Sequence, residues 1–178
     1  VIGLLNPGKS IVAWWRRNTQ SQLAPRVFER PDEVWRGYPV WINATYDGED
    51  GRPVAASAEI GVVSPARLFI RRRSLFIRRR SLFRLGERSL PRIDAGALSR
   101  TFDVWGDDSA FAHRLFADPV IVKTLPLALH SGEQVEISLK TVKVLRGVVD
   151  DAVPDAVAAA RALAIAIVSS LNLPRMVL

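Results

Sequence analysis

Residues 150–174, "DDAVPDAVAAARALAIAIVSSLNLP", constrain this chain more than any other segment. They combine an acidic start, a proline tolerated in a first helical turn, strong helix formers and a stop at Asn172 to Pro174. Only Arg161 is charged between Ala156 and Leu171. So apolar a helix predicts burial on most sides, against a sheet that its alanines approach closely. Its apolar length is short for a membrane span, and Asp155 and Arg161 count against one. Asp150, Asp151 and Asp155 are explained by the positive end of the helix dipole. The rest of the chain has to supply the apolar sheet.

Period-two segments provide it. Val40, Ile42 and Ala44 alternate with Trp41, Asn43 and Thr45, and an acidic loop through Asp47, Glu49, Asp50 and Gly51 leads to a second strand near residues 54–60. This is a hairpin whose loop is too long for the tight two-residue class. Residues 101–105 form a short candidate strand. Val135, Ile137 and Leu139 face one side of another, and the phase then shifts at Thr141 so that Val142 and Val144 form a second run. A shift of one residue exchanges the faces of a sheet, so a bulge or turn is required there.

Two short helices are expected between the strands. Asp107 or Asp108 is a good N-cap for a helix in which Phe111 and Leu115, or Ala112 and Phe116, share a face. Asp118-Pro119 caps and starts a second helix through Leu125, where Pro126 kinks or ends it. The predicted fold class is α+β: a mainly antiparallel sheet, a buried C-terminal helix and a short helical pair inserted between strands. Residues 1–31 read as an N-terminal arm and residues 32–178 as a single domain. The chain begins at Val1 without an initiator methionine, as a fragment or processed product would.

Charge is concentrated in one place. The total is +7, and residues 67–88 hold nine arginines against one acid, Glu87, an excess of eight that leaves −1 for the rest of the chain. Within them "LFIRRRS" occurs twice in tandem and starts a third time. A coiled coil is excluded, because three consecutive apolar residues spread around a helix instead of forming a seam. In a strand the odd period puts Leu68, Ile70 and Arg72 on one side and Leu75 and Ile77 on the other, so the two copies cannot share one packing environment in one continuous strand. A turn near residues 72–74, or one copy looped out of the sheet, resolves this. Phe69, Phe76 and Phe83 sit in apolar triads that read as core.

Arg71, Arg72, Arg73, Arg78, Arg79 and Arg80 are the candidate anion-binding residues. Guanidinium groups hold phosphates through paired hydrogen bonds, and each basic residue near an anionic membrane contributes about 1 kcal/mol. An anionic membrane surface or a protein partner is one reading. A nucleic-acid module using the same arginines is the alternative. A sheet edge protected by arginine, or a tolerated duplication, is the structural reading.

Other signals are weaker. Residues 3–10, "GLLNPGKS", match the phosphate-loop pattern, in which Gly8 and Lys9 would hold phosphate and Ser10 a magnesium ion. Only Val1 and Ile2 precede it where a buried strand is needed, and no succession of βα units follows. No cysteine is present, which removes disulfides and thiolate chemistry and fits a reducing compartment, the cytoplasm or the cytoplasmic face of a membrane. His113 and His130 are the only histidines, and Ser64, Ser109 and Ser131 have no base at triad-like spacing. No catalytic residue, cofactor, metal or small-molecule substrate is implied. No run of 18 apolar residues exists, although Trp14 and Trp15 followed by Arg16 and Arg17 have the order found where a chain leaves a bilayer.

Residues 99–129, "SRTFDVWGDDSAFAHRLFADPVIVKTLPLAL", with the later strand pair and apolar helix, resemble the soluble domains of an uncharacterised class of prokaryotic membrane-associated proteins. The likeness covers residues 36–174 and departs at the second "LFIRRRS". It implies a β-rich first half, a preceding membrane segment ending in residues 1–17, a membrane-adjacent place for the domain, and no catalytic residues.

Overall fold

The computed structural model describes residues 30–47, 50–73, 90–130 and 132–177. The expected N-terminal arm apart from residues 30–31, the phosphate-loop-like residues 3–10 and the second repeat copy with Arg78, Arg79 and Arg80 lie outside them. Strands β1 (Glu33–Trp35), β2 (Tyr38–Tyr46), β3 (Pro53–Gly61), β4 (Leu68–Arg72), β5 (Phe102–Gly106), β6 (Gln134–Ile137) and β7 (Thr141–Gly147) form one sheet in the order β1-β2-β3-β7-β6-β4-β5. Every neighbouring pair is antiparallel. Helices α1 (Ser109–Ala117) and α2 (Pro119–Ala128) are inserted between β5 and β6, and α3 (Val153–Leu171) follows β7. The α+β architecture expected from the sequence is present.

Helix α3 packs on β3 and β7 through Ala156, Ala160, Leu163, Ala164, Ile167, Val168 and Leu171, a stripe repeating every three to four residues. Most of its circumference is covered, as expected: Ile165 and Ala166 are partly buried against the core, and Ala158, Ala162 and Ser169 are exposed along one narrow side. Alanine leaves little apolar area in water, so the outer side costs little. By length and composition alone α3 could cross a membrane; here it is the core helix. Its single charge within the apolar run, Arg161, pairs with Glu33 of β1. The helix stops where Asn172 turns left-handed at φ 49°. Asp155 lies in its first turn, whereas Asp150 and Asp151 occupy left-handed positions in the link from β7.

Local signals explain the other elements. Asp108 caps α1, its carboxylate accepting from the N–H groups of Ala110 and Phe111 at 2.8 and 3.1 Å. Asp118 caps α2 through the Val120 N–H at 2.8 Å. Helix α2 continues past Pro126 to Ala128 instead of ending at Leu125. The phase shift before Thr141 is a turn: Ile137 pairs with Val142, and the Ser138 hydroxyl accepts from the N–H groups of Lys140 and Thr141. Leu139 therefore sits at the exposed tip and not on the face of Val135 and Ile137.

Strand β1 is additional to the expected elements. It reaches β2 through Arg36 and Gly37, both at positive φ, the conformation that suits the twist of a tight hairpin. At the far end of β3 the C-terminal tail crosses Gly61, where an added Cβ would come within 2.7 Å of Pro39 and 3.0 Å of Met176. Replacing Ala164 by leucine overfills the helix–sheet contact and is expected to cost about 1–3 kcal/mol. Ala162→Leu, on the outer side, should stay within about 0.5 kcal/mol of the parent; urea unfolding of both variants checks this.

Candidate functional site

The first "LFIRRRS" copy supplies β4, and strand alternation divides its side chains. Leu68 and Ile70 are buried on the helix side. Arg72 follows them inward and donates to the carbonyl oxygens of Pro126 and Leu129. The last carbonyls of a helix lack intrahelical partners, so Arg72 closes the end of α2. Phe69 and Arg71 point to the opposite face. Phe69 is thus not core, as its apolar triad suggested: it is half-buried with its ring centroid 5.6 Å from that of Trp105, its cross-strand partner.

One carboxylate on that face gathers three guanidinium groups. Asp103 lies opposite Arg71 in the register of β4 and β5. Its Oδ1 accepts from Arg73 Nε and from an Arg92 terminal nitrogen, both at 2.8 Å, and Arg71 lies 4.0 Å from Oδ2. The Arg71 guanidinium also stands 5.1 Å from the Trp105 ring centroid, within cation–π range. Arg92 reaches this point because residues 91–93 run along the outer side of β5, with the Ile93 N–H donating to the Val104 carbonyl and an antiparallel bridge from Arg92 to Trp105. Three positive groups share one negative one, beside an aromatic pair.

Sequence reasoning identified Arg71, Arg72 and Arg73 and missed Asp103, Arg92 and Trp105. The alternation of Phe102 and Val104 with Asp103 and Trp105 could have placed the last pair on one face. Pairing of β5 with β4 is what brings that face to the arginines.

Toward the middle of the sheet the same face carries a charged row. Glu59, Lys143 and Glu136 are successive cross-strand neighbours, and Phe69 follows Glu136. Burial pushes the Glu136 carboxyl above its ordinary range; Lys143 acts against the shift and Glu59 adds to it.

Elsewhere several ionisable groups bind the backbone. The buried Glu133 carboxylate accepts from the N–H groups of His130 and Gly147 at 2.7 and 2.8 Å and from Arg146 Nε at 3.2 Å, tying the end of the α2 connection to β7. Asp107 holds the Arg67 N–H and Nε. Bonds from the Ser99 hydroxyl and the Gly96 N–H hold the Asp94 carboxyl below the usual carboxylate range. The exposed His113 lies with Nε2 3.0 Å from the Asp94 carbonyl oxygen, and Ser64 donates to the carbonyl of Ala66. Among the described residues no three of His, Asp and Glu converge where they could hold a metal ion.

The arrangement is that of an antiparallel α+β domain with its helices on one sheet face and a cationic, aromatic edge at β4 and β5. No family model and no curated protein matches the chain. Among solved structures it has a distant fold-level resemblance to the crystal structure of the mycobacterial trehalose monomycolate transport factor A, TtfA, at 14% identity and a TM-score of 0.43, covering 79% of this chain and 78% of that one.

Asp103→Asn should release repulsion among Arg71, Arg73 and Arg92. Because these pairs are partly exposed, a loss of about 1 kcal/mol is expected; thermal melts should show it most at low ionic strength and largely restored by inorganic phosphate. For Glu136 the raised folded-state pKa means stability is greatest with the carboxyl protonated and falls as pH rises through that pKa. Glu136→Gln should therefore raise Tm at pH 7, with the difference shrinking toward acid pH where the parent is also neutral.

Proposed function

We propose that this chain is a non-catalytic docking domain that lies against an anionic membrane surface, with the β4–β5 edge as its headgroup-binding region. The carrying observation is the sharing of Asp103 by Arg71, Arg73 and Arg92. One carboxylate leaves a local excess of positive charge with hydrogen-bonding capacity for phosphate oxygens. Arg73 and Arg92 keep substantial solvent access, so an arriving anion can reach them without unfolding the site. Arg78, Arg79 and Arg80 follow Arg71, Arg72 and Arg73 in the chain at the spacing of the tandem repeat. Under this reading they add to the charge of the basic segment at residues 67–88.

The non-catalytic part of the reading is supported by where the acids are spent. Asp108 and Asp118 cap helices, Glu133 and Asp107 bind backbone N–H groups and arginine, and Asp103 neutralises arginine. Each has a structural task. The electrostatic contribution expected of the edge is about 1 kcal/mol per basic residue near an anionic bilayer, screened over a length of about 8 Å at physiological salt.

Co-sedimentation with vesicles tests the proposal. Binding is expected to vesicles of phosphatidylcholine and phosphatidylserine at low salt, to weaken steeply as salt is raised, and to be absent with phosphatidylcholine alone. The combined change of Arg71, Arg73 and Arg92 to glutamine should weaken it at least about tenfold, since three basic residues are removed, with the far-UV spectrum unchanged. No binding to anionic vesicles at low salt would overturn the proposal. A salt-sensitive mobility shift with single-stranded oligonucleotides in that case would favour the alternative, in which Phe69 and Trp105 stack on bases.

A further inference from the structure

Strand β3 is buried on both of its faces. A sheet covered on one side alternates buried and exposed residues along each strand, and Ala58 and Ile60 belong to the core on the helix side. Ala55 and Ser57 point the other way and are equally buried, each 2% exposed. In the same register Trp41 of β2, also 2% exposed, flanks Glu59, and Leu145 of β7, 5% exposed, flanks Ser57. Ile42, on the helix side of β2, is more open than Trp41. Burial also pushes up the carboxyl of Glu136, two strands from Glu59 in the same row. A face left open to water would expose the leucine and the tryptophan and hydrate that carboxyl.

Helices α1, α2 and α3 bury their apolar residues in the core on the other face. Among the described residues the C-terminal tail reaches one corner of this one: a Cβ at Gly61 would stand 3.0 Å from Met176 Cε and 3.2 Å from the Trp41 ring. Ser57 and Leu145 lie four residues further along β3 and β7, about 13 Å from that corner. Position and charge point to the N-terminal arm. The Asp32 N–H donates to the Val40 carbonyl and the Asp32 carboxylate accepts from the Ile42 N–H, so the chain arrives at β1 beside Trp41. From β2, strands β3 and β7 are about 5 and 10 Å away, within easy reach of the chain between Trp15 and Arg30. Ile11, Val12, Ala13, Trp14 and Trp15 are consecutive in that arm, and large flat rings suit the space above the small Ala55 and Ser57. Arg16 and Arg17 answer the excess of Glu59 and Glu136 over Lys143. Residues 74–89, by contrast, leave from Arg73, whose N–H donates to the Thr101 carbonyl, and rejoin before Arg92, which pairs with Asp103 of β5. Strand β5 is four strands from β3, about 19 Å.

We infer that the N-terminal arm docks on the sheet face opposite the helices, with Trp14 and Trp15 over Ala55, Ser57 and Leu145, beside Trp41. The inference stands apart from the membrane-docking reading. It makes the sheet the middle layer of the domain, and it gives the order Trp14, Trp15, Arg16, Arg17 a task on the domain in place of a bilayer exit. The docked arm would border the β4–β5 edge, since Phe69 and Trp105 continue the row of Glu59, Lys143 and Glu136.

Two measurements on the full chain test this. The photocrosslinking residue p-benzoylphenylalanine, placed at position 14 or at position 15, should on irradiation link within the same molecule to peptides holding residues 41–45, 55–59 or 143–147, located by mass spectrometry after digestion. The chain contains no cysteine, so Ser57→Cys, a nearly isosteric change, gives a single thiol on the same face. Its reaction with the aqueous reagent DTNB should be slow, and adding Trp14→Ser with Trp15→Ser should speed it at least about tenfold, because opening the face then costs less free energy, with the far-UV spectrum unchanged. If the double serine variant does not fold, the crosslinks alone decide. Thiol reactivity unchanged in a folded double variant would overturn the inference. Capture of the face from position 76 and not from 14 or 15 would assign the cover to the repeat, and crosslinked dimers would assign it to a second copy; either result overturns the inference and leaves the membrane-docking reading standing.

Discussion

The contact between the alanine side of α3 and strands β3 and β7 is the constraint on which the other placements depend. Ala156, Ala160 and Ala164 let the helix axis come close to the sheet, and Leu163, Ile167 and Val168 fill the space beside them. Dense packing of this kind fixes which face of each strand is inward, because a one-residue slip would expose the whole apolar set. Once β3 and β7 are fixed, β6 follows through the Ser138 turn, and β4 and β5 follow through the pairing of β4 with β6 and of β5 with β4. The inward assignment of Leu68 and Ile70 then forces Phe69 and Arg71 outward. The cationic edge is a consequence of the core.

Hydrogen-bond chemistry at that edge follows the same logic. Arg72, on the inward side, meets a helix end whose carbonyls need donors, and Arg71 and Arg73 meet Asp103. A buried Glu133 that accepts from two N–H groups and an arginine holds the connection after α2 against β7. Removing one partner from such a cluster leaves a buried charge without compensation, which costs more than the bond itself contributes. These clusters keep the α2 end and the β4 end together.

Elements with local determinants were legible in the sequence. Asp108 and Asp118 announce α1 and α2, period two announces β2, β3 and β7, and composition announces α3. What was not legible depends on partners distant in the chain. Strand β1 is short and exists through its pairing with β2 and the Arg161 contact to Glu33. Leu139 continues an alternating pattern yet sits in a turn, because the Ser138 hydroxyl satisfies two N–H groups there. Helix α2 carries Pro126 in its last turn, where Arg72 supplies donors to the carbonyls of Pro126 and Leu129. For the candidate site, the arginines were visible and their counter-charge was not: Asp103 lies 30 residues from Arg73, and only the β4–β5 register joins them.

The repeat is best understood through this asymmetry. Its first copy uses the three arginines in two different ways, the middle one inward on the α2 carbonyls and the outer two toward Asp103. Those partners occur once in the chain. A second copy shifted by an odd number of residues would present its side chains to the opposite faces if it prolonged the same strand. Identical sequence therefore does not carry identical environment, and the work of Arg72 does not pass to Arg79 by repetition alone. Charge is the property that survives a change of environment, since a guanidinium keeps it at every accessible pH. That is the physical reason for the docking proposal to count the duplication by its charge alone.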